Sequence, residues 1–372
     1  MSALTSLKLN NFRCYESQVL TELSEGLIVI YGQNGAGKTN ILEAVSLLTP
    51  GRGLRSARPT EIQKVDGGHP WAIAASMQSK YEEVRLGTGL NAQNEKRIVR
   101  INGQNAKNQN ALAQYLSCVW LTPQMDRLFL DSARERRKFF DRLIFAFDPG
   151  HAGRITRYEN ALSQRSKLLR EGKHDDTWLS GLEQQMAETA IAIAAARLDF
   201  ISKLQAACNT TDHTHFPLAL LEISGTLEEL LGSATALETE DAFKYQLTQS
   251  RAQDAITGGA TTGPHKSDLL ITYAEKNMPA SQCSTGEQKA LLIGIILAHA
   301  VLIKAEKGTP PILLLDEIAA HLDENRRNAL YEMLITLKTQ IWLTGTDRNL
   351  FQSIEHTAQF FEIDNKYVKL KS

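Results

Sequence analysis

Leu27-Ile28-Val29-Ile30 is followed, after Tyr31, by Gly32-Gln33-Asn34-Gly35-Ala36-Gly37-Lys38-Thr39, and Thr39 to Leu48 then carries Ile41, Leu42, Val45 and Leu48 at helical spacing. Four apolar residues in a row read as a strand buried on both faces. The octet after them fits G-x-x-x-x-G-K-[ST] in full, with a strand before it and a helix after it. Glycines let the backbone curl so that several N–H groups point at a phosphate, and the helix start adds the positive end of its dipole. Lys38 can then reach the β- and γ-phosphates, and the Thr39 hydroxyl can ligate Mg²⁺. This strand–loop–helix order predicts an α/β fold built around a nucleotide.

The second half supplies the matching piece. Ile312-Leu313-Leu314-Leu315 ends in Asp316-Glu317. A buried parallel strand delivers its last residues to the crevice where α/β ligands sit. Asp316 is placed to hold Mg²⁺, and Glu317 to orient or deprotonate an attacking water. Around the two motifs the pattern changes twice. Leu4 to Leu9 alternates like a half-buried strand, and short strands are expected at Trp71–Met77, Glu83–Leu86, Arg97–Ile101 and Cys118–Leu121, with Asn102-Gly103 as a turn. From Ser132 the periodicity is helical, clearest in Leu182, Met186, Ala190, Ile193, Arg197, Phe200 and Leu204. Gly258-Gly259 and Gly263-Pro264 mark a boundary, after which strand–helix alternation returns. The expected organisation is an α/β lobe of residues 1–130 plus 258–372, split by a mainly helical lobe of residues 131–257.

Composition narrows the class. The formal net charge is −1 and 22% of residues are charged, so no overall field calls for nucleic acid, although a basic face can hide in a neutral total. Cys14, Cys118, Cys208 and Cys283 are far apart, which suggests neither a zinc site nor a disulfide framework but free thiols in a reducing cytosol. The start of the chain lacks the apolar core of a signal peptide, and the apolar runs Ala290–Val301 and Ile312–Leu315 fall short of the ~18–20 residues that span a bilayer. A cytoplasmic protein without a membrane partner is expected.

Cys283-Ser284-Thr285-Gly286-Glu287-Gln288-Lys289 precedes the long apolar run from Ala290. Ser and Gly at a helix start make a second anion site. The same residues also read as a Ser N-cap with Glu287 three positions on, a capping box.

Here the chain resembles the ABC-type ATPases, and within them the SMC-like and RecF-like branch. The likeness is carried by Leu9-Asn10-Asn11-Phe12-Arg13-Cys14-Tyr15, by Gly35 to Ala44, by Gly263-Pro264-His265-Lys266-Ser267-Asp268-Leu269 and by Ser284 to Lys289. Ser284-Thr285-Gly286-Glu287 resembles the signature L-S-G-G-Q, with Cys283 for Leu, Thr285 for the first Gly and Glu287 for Gln. Asp323 takes the D-loop place, Gln124 the Q-loop place, and Thr346 the place where transporter ATPases carry a switch His. Arg13 resembles the branch's arginine that reaches the nucleotide.

The resemblance implies an ABC-type head with an inserted helical lobe. It implies an ATP site of Arg13, Gly32, Gln33, Asn34, Gly35, Ala36, Gly37, Lys38, Thr39, Asn40, Gln124, Ser284, Gly286, Asp323 and Thr346. Glu317 and Lys38 would be catalytic, and Thr39, Asp316 and Gln124 would face Mg²⁺. It further implies an ATP-dependent homodimer, slow and DNA-stimulated hydrolysis, binding to double-stranded DNA and to single-strand/double-strand junctions, and action with RecR, with RecO and RecA downstream. In such a dimer each signature faces the other copy's phosphate loop, which accounts for two phosphate-seeking motifs in one chain.

For DNA contacts, Arg134, Arg136, Arg137 and Lys138 open a basic run that continues through Arg142, Arg154, Arg157, Arg165, Lys167, Arg170 and Lys173. A solvated helix face laced with ion pairs is the other reading. Arg52, Arg55 and Arg58 form a second small cluster that suits nucleotide, DNA or solvent equally. Rivals to a DNA-binding repair ATPase are a transporter-like subunit or non-DNA switch, a DNA scaffold that holds ATP without useful turnover, and a head allied to a nuclease, for which no His/Asp cluster has ligand spacing. The long separation of Lys38 from Ser284, and Thr346, argue against the transporter-like subunit; Glu317 argues against the scaffold.

Overall fold

A computed structural model describes residues 3–65, 68–78, 82–93, 95–172, 175–211 and 213–371. Lys173 lies outside them. The chain divides into two compact units, Met1–Asp126 with Asp212–Phe216 and Ile296–Ser372, and Arg127–Thr211 with Pro217–Ile295.

The first unit holds two six-stranded sheets. One is antiparallel: β1 (Ala3–Phe12) lies between β2 (Tyr15–Leu20) and β4 (Ala72–Gln78), and β5 (Glu83–Leu90), β6 (Arg97–Ile101) and β7 (Gln104–Asn105) follow outward. Asn102 and Gly103 both take positive φ, 50° and 83°, as a tight two-residue hairpin between β6 and β7 requires. The other sheet is mostly parallel. β3 (Leu27–Tyr31) sits between β13 (Ile341–Gly345) and β14 (Ala358–Asp364), then come β12 (Ile312–Leu315) and β8 (Cys118–Leu121) on one side and the antiparallel β15 (Tyr367–Lys371) on the other. All four residues of β8 and β12 are buried, the signature of strands covered on both faces. Helix α1 (Lys38–Ser46) shares one apolar core with both sheets, through Ile41, Leu42 and Val45 against Leu7, Phe12, Ile30 and Trp342. The buried Gln340 side chain donates to the carbonyls of Leu4 and Ser24 and accepts from Leu4 N–H, closing the antiparallel sheet onto the parallel one.

The second unit is helical with a small sheet. Its helices are α2 (Ala133–Phe147), α3 (His151–Arg170), α4 (Asp176–Asn209), α5 (Thr226–Leu231), α6 (Ala236–Gln249) and α7 (Arg251–Thr257). The periodic residues of α4 are all buried, including Arg197. The sequence reading put the return to the α/β lobe at residue 258, whereas residues 258–295 group with the helices. The cause is a strand that helical periodicity concealed: β9 (Ala219–Ser224) pairs with β10 (Asp268–Tyr273), which pairs with β11 (Met278–Pro279). Further bonds pin the segment between. Arg197 donates to Pro264 O, Arg137 donates to Ser267 O, and the Ser267 hydroxyl donates to the buried Glu228 carboxylate.

Helix α8 (Thr285–Lys307) continues from the second unit into the first, and α9 (Glu324–Leu337) follows β12. By length and composition α8 could cross a bilayer, which the shorter run Ala290–Val301 did not predict. However, 78% of its most apolar stretch is buried, as in a core helix.

Candidate functional site

At the end of β3 the chain turns through Gly32, Gly35 and Gly37 with φ of 154°, 79° and 113°. A side chain at Gly37 would lie 2.6 Å from the Tyr15 hydroxyl, which donates to Gly37 O, and 2.8 Å from Cys14 Sγ. Only glycine meets both the backbone angle and the close approach. Gly37 is also the N-cap of α1 and provides no capping side chain, so this helix start is open to an anion. Gln33, Asn34 and Gly35 form the exposed tip of the loop. Lys38 is buried; its Nζ donates to Gly32 O (2.8 Å) and Gln33 O (3.0 Å) and lies 3.7 Å from Glu317 Oε1.

The acidic strand end meets the loop directly. The Thr39 hydroxyl donates to Asp316 at 2.9–3.0 Å, and the Thr344 hydroxyl donates to Asp316 Oδ1 at 2.7 Å. Burial raises the Asp316 carboxyl above its ordinary value, the two hydroxyls pull it back, Glu317 adds to the rise and Arg55 opposes it. Glu317 occupies the left-handed region (φ 51°) and its N–H donates to Thr344 Oγ1 at 2.8 Å. Such strain in a non-glycine residue costs roughly 1–3 kcal/mol and persists where the surroundings enforce it. Thr344 was not singled out from sequence. Its signal was a lone hydroxyl in an otherwise apolar buried strand.

The remaining expected residues are placed as follows. Gln124 is exposed in the 3-10 turn Pro123–Arg127, on the strand edge where Leu121 pairs with Leu315. Thr346 is exposed just past β13. Asp323 caps α9, its carboxylate accepting from Arg326 N–H at 2.9 Å. Arg13 forks onto the buried Glu43 carboxylate (2.6 and 2.8 Å) and donates to Glu61 O. Asn40 donates to Cys14 Sγ and accepts from Arg55, which also pairs with Glu43. Arg97, unremarked in the sequence, reaches the carbonyls of Leu47, Thr49 and Gly51 behind α1, and burial lowers it to about 10.

Ser284 and Gly286 lie in the second unit. The capping box is formed there: Ser284 N–H and Oγ both donate to Glu287 Oε2, at 2.8 and 2.7 Å. The basic run is mostly engaged within the chain. Arg136 forks onto Asp268, Arg137 donates to Ser267 O, and Lys138 pairs with Glu135. Arg165 is fully buried against Glu183 and Asp254, so it is no surface cation. Arg134 and Arg157 are exposed. His265, whose role the sequence left blank, accepts from the Tyr158 hydroxyl at Nδ1 and donates from Nε2 to Ala260 O, and burial lowers it to about 4.

A family model described as the RecF/RecN/SMC N terminal domain matches residues 3–369. Curated proteins named DNA replication and repair protein RecF are 46% identical to the chain: one from Mesorhizobium japonicum over 97% of this chain and 96% of its own length, and one from Rhizobium rhizogenes over the same shares. Among solved structures, the recombination mediator protein RecF–ATPrS in the RecFOR pathway superposes with a TM-score of 0.88, at 24% identity, over 100% of this chain and 98% of that one. The Smc head domain of Pyrococcus furiosus bound to the C-terminal domain of ScpA matches with a TM-score of 0.54, at 16% identity, over 100% of this chain and 96% of that one. Those two likenesses establish the fold, that of an ABC-type ATPase head. Family model and full-length identity together establish the lineage: the chain belongs to the RecF family of ABC-type, SMC-like ATPases.

Proposed function

We propose that the chain is an ATP-dependent, DNA-binding ATPase of recombinational repair. It pairs with a second copy around ATP, binds double-stranded and gapped DNA, hydrolyses ATP slowly with stimulation by DNA, and with RecR, alongside RecO, helps load RecA at gaps. The observation that carries the ATPase part is the single cluster formed by Lys38, Thr39, Asp316, Glu317 and Thr344. Solved RecF structures described with ATP, and relatives named for DNA replication and repair, support ATP as the nucleotide and repair as the setting. The cytoplasm suits such a role.

In this reading Lys38 turns from the loop carbonyls to the β- and γ-phosphates, while Glu317 holds the attacking water and accepts its proton. Thr39 and Asp316 would offer Mg²⁺ two hard oxygen donors side by side, with Gln124 on the same strand edge; the ion would supply charge neutralisation at the phosphates. Asp323, Thr346 and Arg13 stand around the nucleotide, and Ser284 and Gly286 serve the other copy's ATP. Among the basic residues first singled out, Arg134 is the one that suits a backbone phosphate, since Arg136, Arg137 and Lys138 are held by neighbours.

The test is sedimentation of Glu317→Gln with Mg-ATP, with and without a gapped duplex. The expected result is an ATP-dependent dimer that carries the duplex down and is lost in Lys38→Ala. A persistent monomer that ignores DNA refutes the proposal.

A further inference from the structure

Glu287 stands at the helix start, at the place that the signature resemblance gives to an uncharged glutamine, and its carboxylate is held from two sides. Oε2 accepts from both Ser284 N–H and Ser284 Oγ. Oε1 pairs with Lys276, in the turn between β10 and β11. Ser284 Oγ in return accepts from Glu287 N–H at 3.4 Å. Together these contacts hold the Glu287 carboxyl down to about 2, so it is fully ionised at neutral pH. The two donors that Ser284 could offer to a phosphate are therefore engaged by an anion of the same chain.

We propose that Glu287 is a built-in competitor for the γ-phosphate that a second copy presents to Ser284, and that Lys276 is the positioning residue that keeps its carboxylate when it lets go. The inference rests on the reading that two copies pair around ATP. A carboxylate oxygen and a phosphate oxygen want the same charge-assisted hydrogen bonds, so both cannot occupy Ser284 at once. Only the Oε2 side of Glu287 has to open; the Oε1 side stays with Lys276. Without that cation, a freed carboxylate would face the incoming phosphate and repel it. The pair thus sets how readily ATP closes the dimer, and a glutamine at this position, a neutral acceptor without the charge, would weaken the brake.

The experiment measures ATP-dependent dimerisation by sedimentation in full-length protein carrying Glu317→Gln to halt turnover. Glu287→Gln keeps a side chain able to close the capping box, so the helix start is retained, which a thermal melt verifies. The expected result is about tenfold tighter pairing in Glu287→Gln, the scale of one charge-assisted hydrogen bond, and about tenfold weaker pairing in Lys276→Met. In the double variant the Lys276→Met effect disappears, because there is no carboxylate left to hold. Dimerisation that is unchanged or weakened in Glu287→Gln, or a Lys276→Met effect of equal size in both backgrounds, overturns the competitor while leaving the ATP-dimer reading intact. A chain that stays monomeric with Mg-ATP in every variant overturns both.

Discussion

The Thr344 hydroxyl donates to Asp316 Oδ1 at 2.7 Å, so the strand beside the acidic one fixes the carboxylate on which Mg²⁺ is proposed to rest. Thr344 Oγ1 in turn accepts from Glu317 N–H, tying the strained backbone of the proposed base to the same point. Thr344→Val keeps the shape and removes both bonds. ATP turnover should fall at least about tenfold, and unfolding free energy by ~1–3 kcal/mol, because a buried acceptor and a donor lose their partner. Steady-state hydrolysis and urea unfolding of the variant check the two effects; unchanged turnover would remove Thr344 from the site.

Gly35 and Gly37 separate backbone angle from contact. Both have positive φ, but a methyl at Gly35 meets nothing within 4 Å, whereas at Gly37 it collides with Tyr15 and Cys14. Gly35→Ala should cost roughly 1 kcal/mol through its backbone alone and weaken ATP binding less than tenfold. Gly37→Ala should abolish measurable ATP binding in an equilibrium titration. Equal effects would show that the contact around Gly37 does not shape the loop.

His265 makes the second unit acid-sensitive in a defined window. Its folded-state value is lowered from 6.5 to about 4 by burial and by the charges of Lys266, Arg137 and Arg197, against the Ala260 bond that opposes the shift. Above pH 6.5 it is neutral both folded and unfolded. As pH falls towards 4 only the unfolded chain takes up the proton, so stability is lost across that range, by at most ~3 kcal/mol before solvent screening. Asp141, Asp148 and Glu183, whose carboxyls are held below their ordinary values, lose their contribution at lower pH. His265→Gln should flatten the melting temperature between pH 6.5 and 4.5 and leave the fall below pH 4 in place.

Two arginines of the basic run should behave oppositely. Arg165 is buried between Glu183 and Asp254, so Arg165→Met leaves buried Asp254 without its cation and Glu183 with Arg251 alone, and should destabilise the chain by ~3–5 kcal/mol. Arg134 is exposed, so Arg134→Gln should leave the melting temperature unchanged and lower the slope of duplex affinity against salt by about one. Melting curves and fluorescence anisotropy over a salt series distinguish them.

The contrast shows what sequence makes legible. The phosphate loop and acidic strand end are local, and their spacing with apolar flanks predicted both motifs and the strands that carry them. Arg136, Arg137 and Arg165 look alike in sequence, yet their partners Asp268, Ser267 and Asp254 lie far along the chain, so their engagement could not be read from charge runs. β9 was hidden for the same reason: its partner β10 begins beyond the Gly258-Gly259 boundary that was taken to end the lobe. Ser284 and Glu287 are the reverse case. Their capping box is a three-residue relationship, legible in advance, while the Lys276 contact that gives it a charge balance is not local enough to be seen.

The position of β3 between β13 and β14 has a consequence for how the molecule is made. The strand that launches the phosphate loop leaves the ribosome early, and its neighbour β13 is synthesised roughly 310 residues later. At ordinary elongation rates that interval is about 15–60 s, during which a strand of five apolar or aromatic residues has neither sheet neighbour. Residues 127–295, interrupted only by Asp212–Phe216, can collapse on their own sheet in the meantime. The most recognisable motif of the sequence is therefore among the last parts of the nascent chain to become structure.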